Sequence, residues 1–233
     1  GLMTLKQAVW IIMGANVGTT ITGQLIALDI GALAPLIAFV GVMLLIFVKN
    51  KKIQHVGGII AGIGVLFIGM GMMSDAMVPL RDSQTFIHMV TKFSNPILGI
   101  LVGAVFTAVI QSSSASVGIL QALAMGGVIN IHSAVFVLFG QNIGTCITAL
   151  LASVGTSRNA KRTTVIHLMF NVIGTTLFVI LCILTPFTDF VAGLTPGNPV
   201  AQIANVHTIF NVSTTLILLP FGTVLERIAI AIL

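Results

Sequence analysis

Charge is what this chain has least of. Ten Lys or Arg and five Asp or Glu make up 6% of 233 residues, where a soluble domain carries roughly 25%. That scarcity excludes a water-soluble globule. No Asp or Glu stands in the middle of an apolar run, and Asp75 lies near the end of one. The two cysteines, Cys146 and Cys182, sit inside apolar segments without metal-ligand spacing, so they read as reduced packing residues. No nucleophile–base pair or metal-ligand set lies at membrane depth, and an enzyme is not expected. Aromatic–basic interleaving is missing, which argues against nucleic acid. The ~10-residue alternation of a membrane β-barrel is also missing.

Long apolar runs are what is present. Val56–Ser74 is a stretch of 19 residues without charge, and a spanning helix needs ~20. The expected fold class is all-α: a polytopic membrane protein in the lipid bilayer, with inverted-topology repeats and a re-entrant helical hairpin. The expected spans are 8–28, 33–48, 57–79, 134–153, 164–185 and 200–220. Segment 97–126 is interrupted by polar residues and reads as the hairpin. Non-helical backbone at that depth needs cover from protein or a cavity. Cytoplasmic loops concentrate Lys and Arg. With a re-entrant hairpin, Lys6, the basic loop 49–52, the basic loop 158–162 and Arg227 fall on one side, taken as cytoplasmic. Asp29, Arg81, Asp82, Lys92 and Asp189 fall on the other. A full span in place of the hairpin would split the two basic loops. The net charge of +5 is therefore read as topology.

Two stretches are the same element. "GANVGTTIT" (14–22) and "GQNIGTCIT" (140–148) align at an offset of 126. Over 1–24 and 127–150, Gly1, Ala8, Val9, Gly14, Asn16, Gly18, Thr19, Ile21 and Thr22 match their partners. One copy runs outward and the other inward in this topology, the pattern of secondary transporters. The expected organisation is 1–48 as the C-terminal part of a first repeat, 56–153 as the second repeat with hairpin 97–126, and 164–220 as two further transmembrane helices. A first hairpin with its leading helix is expected to belong to the first repeat and falls outside this sequence. A smaller echo is "HLMFNV" (167–172) and "HTIFNV" (207–212). For these twins, packing and function both remain open, with Asn171 and Asn211 the members suited to a cavity.

The chemistry centres on "QSSSAS" (111–116). With the hairpin tip near Gln111, a half-helix starts at the serines. Its free N–H groups carry partial positive charge and bind anions without Arg or Lys. Ser112, Ser113 and Ser114 add hydroxyls, and Gln111 adds amide donors. Asn142 and Thr145 complete the expected substrate set. Asn16, Thr19, Thr20, Ser116, Asn142 and Asn211 form the expected sodium set, because amide, hydroxyl and unwound backbone oxygens suit Na+ at a broken helix. A proton-coupled carrier needs a titratable group in the membrane. His167 and His207 also fit helix packing, so Na+ is preferred as the coupling ion, with no other cofactor. Gly, Ser and Thr pack membrane helices as well; a run of Gln plus four Ser exceeds what packing needs.

At these residues the chain resembles the Na+/phosphate cotransporter type II family. The motifs are "QSSSAS", "GANVGTTIT", "GQNIGTCIT", "GVLFIGMGMMSDAMVPL" (64–80) and "IANVHTIFNVSTTLILLPF" (203–221). That family carries paired Gln-Ser-Ser-Ser motifs, and one is present here. The second repeat also reads Gly-Gln-Asn where the first reads Gly-Ala-Asn. The resemblance implies inorganic phosphate as substrate, Na+ coupling, and a site where two re-entrant hairpins meet. It implies that Gln111, Ser112, Ser113 and Ser114 are the second hairpin's share. The expected function is sodium-coupled phosphate import across the plasma (inner) membrane, with a homodimer left open. Another small oxyanion, or a non-transporting scaffold or regulator, are the alternatives.

Overall fold

The computed structural model describes residues 3–28, 30–77, 79, 83, 85 and 92–233. Asp29, Arg81 and Asp82 lie outside the described residues. The structure is helical throughout, with no strand among the described residues. The helices are α1 (Leu5–Ile26), α2 (Ala34–Phe47), α3 (Lys51–Met77), α4 (Pro96–Ile110), α5 (Ser113–Met125) and α6 (Ile131–Gly144). They continue with α7 (Cys146–Ser153), α8 (Arg158–Leu184), α9 (Phe187–Leu194), α10 (Pro199–Leu218) and α11 (Gly222–Ile232). Among the described residues, five stretches are long and apolar enough to cross a membrane: Leu5–Ile26, Lys51–Ala76, Ile131–Ser153, Arg158–Leu184 and Pro199–Ile232. The chain is a polytopic α-helical membrane protein.

The helix starts follow from local chemistry. Thr4 and Gln7 form a capping box at α1. Asn95, Asn130, Ser157 and Asn198 cap α4, α6, α8 and α10 with their side-chain oxygens. Pro96 and Pro199 stand in first turns, where the missing N–H costs nothing. Two expected spans change. The 33–48 span becomes α2 with 14 residues, about 21 Å at 1.5 Å per residue, short of the ~30 Å apolar layer. The 200–220 span continues through a 3-10 turn at Leu219–Phe221 into α11. Four starts are also earlier than expected: α1 begins at Leu5 and α6 at Ile131, and α3 includes Lys51 and Lys52 and α8 includes Arg158 to Arg162. Terminal Lys and Arg reach water from a helix end by extending their side chains.

Three buried clusters hold the bundle. Phe139, Phe178 and Phe210 centre the largest. Phe139 stacks on Phe210 at 5.1 Å, and Phe178 lies 5.2 Å from Phe210. A second gathers Leu5, Ile166, Phe170, Leu218 and Leu225. A third gathers Ile26, Met70, Ala122 and Val200. Leu5 and Ile26 are the two ends of α1, so these last clusters mark opposite ends of the bundle. Exposed apolar residues such as Phe39, Phe47, Ile97, Val109 and Leu184 cover the outside. In water such a surface would aggregate, and in lipid it is solvated.

Candidate functional site

The polar turn of "QSSSAS" is built by a break between α4 and α5. Gln111 takes a left-handed conformation at φ 59, uncommon for a residue with a side chain. Its N–H still bonds to Thr107 O at 2.7 Å and closes α4. Ser112 then turns extended and caps α5, its hydroxyl accepting from Ala115 N at 3.2 Å. Ser113 and Ser114 occupy the first two positions of α5, whose N–H groups have no acceptor inside the helix. Gln111 is exposed, Ser112 to Ser114 are half-buried, and Ser116 is buried.

The arms of this turn are fixed by neighbours on both sides. α4 lies against α6, with Gly99 at Phe136, Gly103 at Val137 and Gly140 at Ile100 in backbone-close contact. α5 lies against α1: the Ser114 hydroxyl donates to Thr22 Oγ1 at 3.3 Å. Gln121 is fully buried, and its Nε2 donates to Gly23 O and Val200 O, both at 3.0 Å. Gln141 Nε2 donates to Ser116 O at 2.9 Å. The serine turn therefore sits between the two copies of the repeated element, touching α1 through Thr22 and α6 through Gln141.

Those copies share their internal bonding as well as their sequence. Asn16 Nδ2 donates to Ile12 O at 2.8 Å, and Asn142 Nδ2 to Leu138 O at 2.9 Å. Thr19, Thr20 and Thr145 turn their hydroxyls back to Asn16 O, Val17 O and Gln141 O. Such back-bonding spends the hydroxyl proton and leaves oxygen lone pairs free.

The structure joins part of each expected set. Asn211 Nδ2 donates to Asn142 Oδ1 at 3.2 Å, which unites two members of the sodium set. Asn16, Thr19 and Thr20 remain on α1, without a hydrogen bond to that pair among the described residues. Neither Asn142 nor Thr145 bonds to the serines; their neighbour Gln141 makes the link. Sequence reasoning missed Gln141, Thr22 and Gln121. Gln141 is the residue that departs from Ala15 in the first copy, and that departure was its signal. Ser116 Oγ and Gln141 Oε1 are buried without a partner. A cavity of about 200 Å³ opens beside Phe106, Leu120 and Val137 with Gln141 at its wall. It is otherwise apolar and lacks donors for an anion. The exposed His132 and Asp189 stand 3.5 Å apart, away from these residues.

A family model described as Na+/Pi-cotransporter matches residues 1–75 and 80–195. The chain belongs to the Na+/Pi-cotransporter family. Relatives bear on the family's range. YqeW of Bacillus subtilis, a protein named as uncharacterized, is 33% identical over 98% of this chain and 73% of its own length. YjbB of Escherichia coli, named as a candidate inorganic phosphate export protein, is 26% identical over 97% of this chain and 41% of its own length. The sodium-dependent phosphate transport protein 2A of Rattus norvegicus is 30% identical over 43% of this chain and 17% of its own length. The chain thus spans less than half of the named phosphate proteins it matches. No solved structure matches it significantly.

Proposed function

We propose that this chain forms the anion- and sodium-handling bundle of a phosphate transporter. One observation carries the reading: the left-handed break at Gln111, which starts α5 at a Ser-capped turn joined to α1 at Thr22 and to α6 at Gln141. Phosphate docks at the N–H groups of Ser113 and Ser114. The hydroxyls of Ser112 to Ser114 and the Gln111 amide add donors. The positive end of α5 favours the anion at this point. Na+ binds nearby on neutral oxygens of the repeated elements, with Ser116 and Gln141 supplying oxygens that have no protein partner. Each ion then reduces the cost of holding the other in a low-dielectric interior. Coupling follows from that mutual stabilisation.

In this reading α4 and α5 form a re-entrant hairpin, and α1 and α6 are inverted repeats. The basic stretches 49–52 and 158–162 face the cytoplasm of a plasma-membrane protein. Transport runs inward with the Na+ gradient. The name of the Escherichia coli relative supports a second direction, outward. Flux in proteoliposomes with Na+ placed first outside and then inside distinguishes the two.

Thermal unfolding tests the site itself. A ligand that binds the folded state raises stability by mass action. Phosphate is expected to raise Tm in Na+ and much less in K+ at equal ionic strength. Ser113→Ala is expected to lower phosphate affinity about tenfold, the loss of one charge-assisted hydrogen bond. Unchanged affinity in that variant rules out the serine turn as the anion site.

A further inference from the structure

A cavity of about 290 Å³ opens where α4, α7 and α8 meet. Ala104 and Ala108 line it from α4, Cys146 and Leu150 from α7, and Thr164 and Leu168 from α8. Cys146 is buried, whereas Leu150 and Leu168 are exposed, so the space runs from the packed interior out to the surface. Its sides are fixed. α4 is held where Gly144 meets the Ala104 backbone. α7 is held to α8 by the Thr164 hydroxyl, which donates to Ala149 O at 3.0 Å, and by Asn171 Nδ2, which donates to Cys146 Sγ at 3.4 Å. The transport reading uses none of the six lining side chains.

The lining is almost wholly apolar. The Thr164 hydroxyl proton is spent on Ala149 O, and Cys146 Sγ already accepts from Asn171. A polar occupant would leave its own groups unpaired here, and an apolar cavity does not hold water. The α7 and α8 walls belong to the spans Ile131–Ser153 and Arg158–Leu184, so the medium outside the cavity is hydrocarbon. An aliphatic chain is the occupant that these walls suit.

Charge stands at one end of it. Lys161 precedes Thr164 by one turn and Leu168 by two, so it lies on the strip of α8 that walls the cavity. Arg158 is one turn further out, and both cations are exposed. α4, α6, α7 and α8 contain no Asp or Glu. Among the described residues neither cation has an ion-pair partner. Both stand at the start of the α8 span, and the cavity follows one to two turns inward. Their long side chains reach the membrane boundary from there. An apolar slot in the hydrocarbon layer with uncompensated positive charge at its outer end matches a lipid with an acyl chain and an anionic headgroup. Basic pockets between spans hold such headgroups, whereas a zwitterionic headgroup brings its own ammonium against Lys161 and Arg158. We propose that the cavity between α4, α7 and α8 binds an anionic phospholipid, its acyl chain against Ala104, Ala108 and Cys146 and its phosphate at Lys161 and Arg158. This site does not depend on phosphate binding at the serine turn. Ala108 stands three residues ahead of Gln111, so the bound chain braces the arm that leads into the turn.

The test is photo-crosslinking of the purified full chain in phosphatidylcholine nanodiscs. The probe is phosphatidylglycerol with a diazirine on its acyl chain, and labelled peptides are mapped by mass spectrometry. Crosslinks are expected to concentrate on 104–108, 146–150 and 164–168, and unlabelled phosphatidylglycerol is expected to compete for them. Phosphatidylcholine with the same diazirine is expected to label these segments no more than exposed positions such as Phe39 and Phe47. Lys161→Gln combined with Arg158→Gln is expected to raise the phosphatidylglycerol needed for half-maximal labelling about tenfold, as the loss of two cations beside an anionic headgroup would. Lys51→Gln, a cation on α3, is expected to leave it unchanged. Ala108→Phe fills the cavity and is expected to remove labelling at 164–168. The paired Gln variant alters exposed side chains alone, and it keeps the test decisive if Ala108→Phe does not fold. Labelling spread evenly over the exposed apolar surface, equal labelling by the phosphatidylcholine probe, or an unchanged half-maximal concentration in the paired Gln variant each overturns the proposal. An equal loss in Lys51→Gln also overturns it, because general surface charge then explains the preference. Competition by inorganic phosphate overturns it as well, because the two cations then serve a free anion.

Discussion

At the scale of single residues, amides carry more of this structure than the serines that mark it. Gln121 ties three helices with one Nε2 group, bonding α1 at Gly23 and α10 at Val200 from its place on α5. Gln121→Leu keeps the volume and removes both bonds. The expected cost is about 1–3 kcal/mol, seen as a lower Tm with phosphate affinity reduced in parallel, because the serine turn is carried on the same helix. An unchanged Tm would show that apolar packing alone seats α5. The polar run at 111–116 could be read directly, because such a run inside an apolar stretch has few structural uses. Gln121 and Gln141 could not. A single Gln among apolar residues shows no partner until the neighbouring helix is known, and its importance here comes from a carbonyl 79 or 98 residues away.

At the scale of elements, the repeat is the informative feature, and its copies differ in their neighbours. Gly140 and Gly144 press on the backbone of α4 at Ile100 and Ala104. Gly14 and Gly18, their counterparts on α1, have no atom within 4 Å of an added Cβ. Gly140→Ala is therefore expected to destabilise by about 1–3 kcal/mol through overpacking. Gly14→Ala is expected to be neutral or to stabilise by up to about 1 kcal/mol through helix propensity. Unfolding of the two variants side by side measures the difference. A loss at Gly14 as large as at Gly140 would mean that another segment packs on α1. Helix ends were legible: the expected 28, 48, 79, 153, 185 and 220 fall close to Ile26, Phe47, Met77, Ser153, Leu184 and Leu218, although α10 runs on into α11 through a 3-10 turn at Pro220. Starts were less so: α1, α3, α6 and α8 begin at Leu5, Lys51, Ile131 and Arg158, ahead of the expected 8, 57, 134 and 164, because their polar or basic first turns lie outside the apolar runs. The bounds of α2, Ala34–Phe47, match the expected 33–48 within a residue at each end, and its 14 residues fall short of the ~20 a full crossing needs.

For the whole molecule, the clusters order the ends of the helices. Met70 near the end of α3, Ala122 near the end of α5 and Val200 at the start of α10 meet Ile26 at one end of α1. Ile166 near the start of α8 and Leu218 at the end of α10 meet Leu5 at the other. Lys51 begins the 27-residue α3 that ends at the first of these, and Arg158 begins α8 at the second. Lys51 and Arg158 therefore both lie toward the Leu5 end of α1. Cysteines placed at Lys51 and Arg158 are expected to react with an impermeant maleimide from the same side of the membrane, and one at Asp189 from the opposite side. Labelling of Lys51 and Arg158 positions from opposite sides would break this topology. The sequence by itself determined the membrane class, the helices, the repeat and the serine turn, because composition, apolar length and local capping are properties of neighbours along the chain. Only the tertiary structure decided which oxygens remain unpaired. That outcome depends on which helix faces which, and no local pattern records that Asn171 Oδ1, Asn211 Oδ1 and Thr214 Oγ1 are buried without a partner.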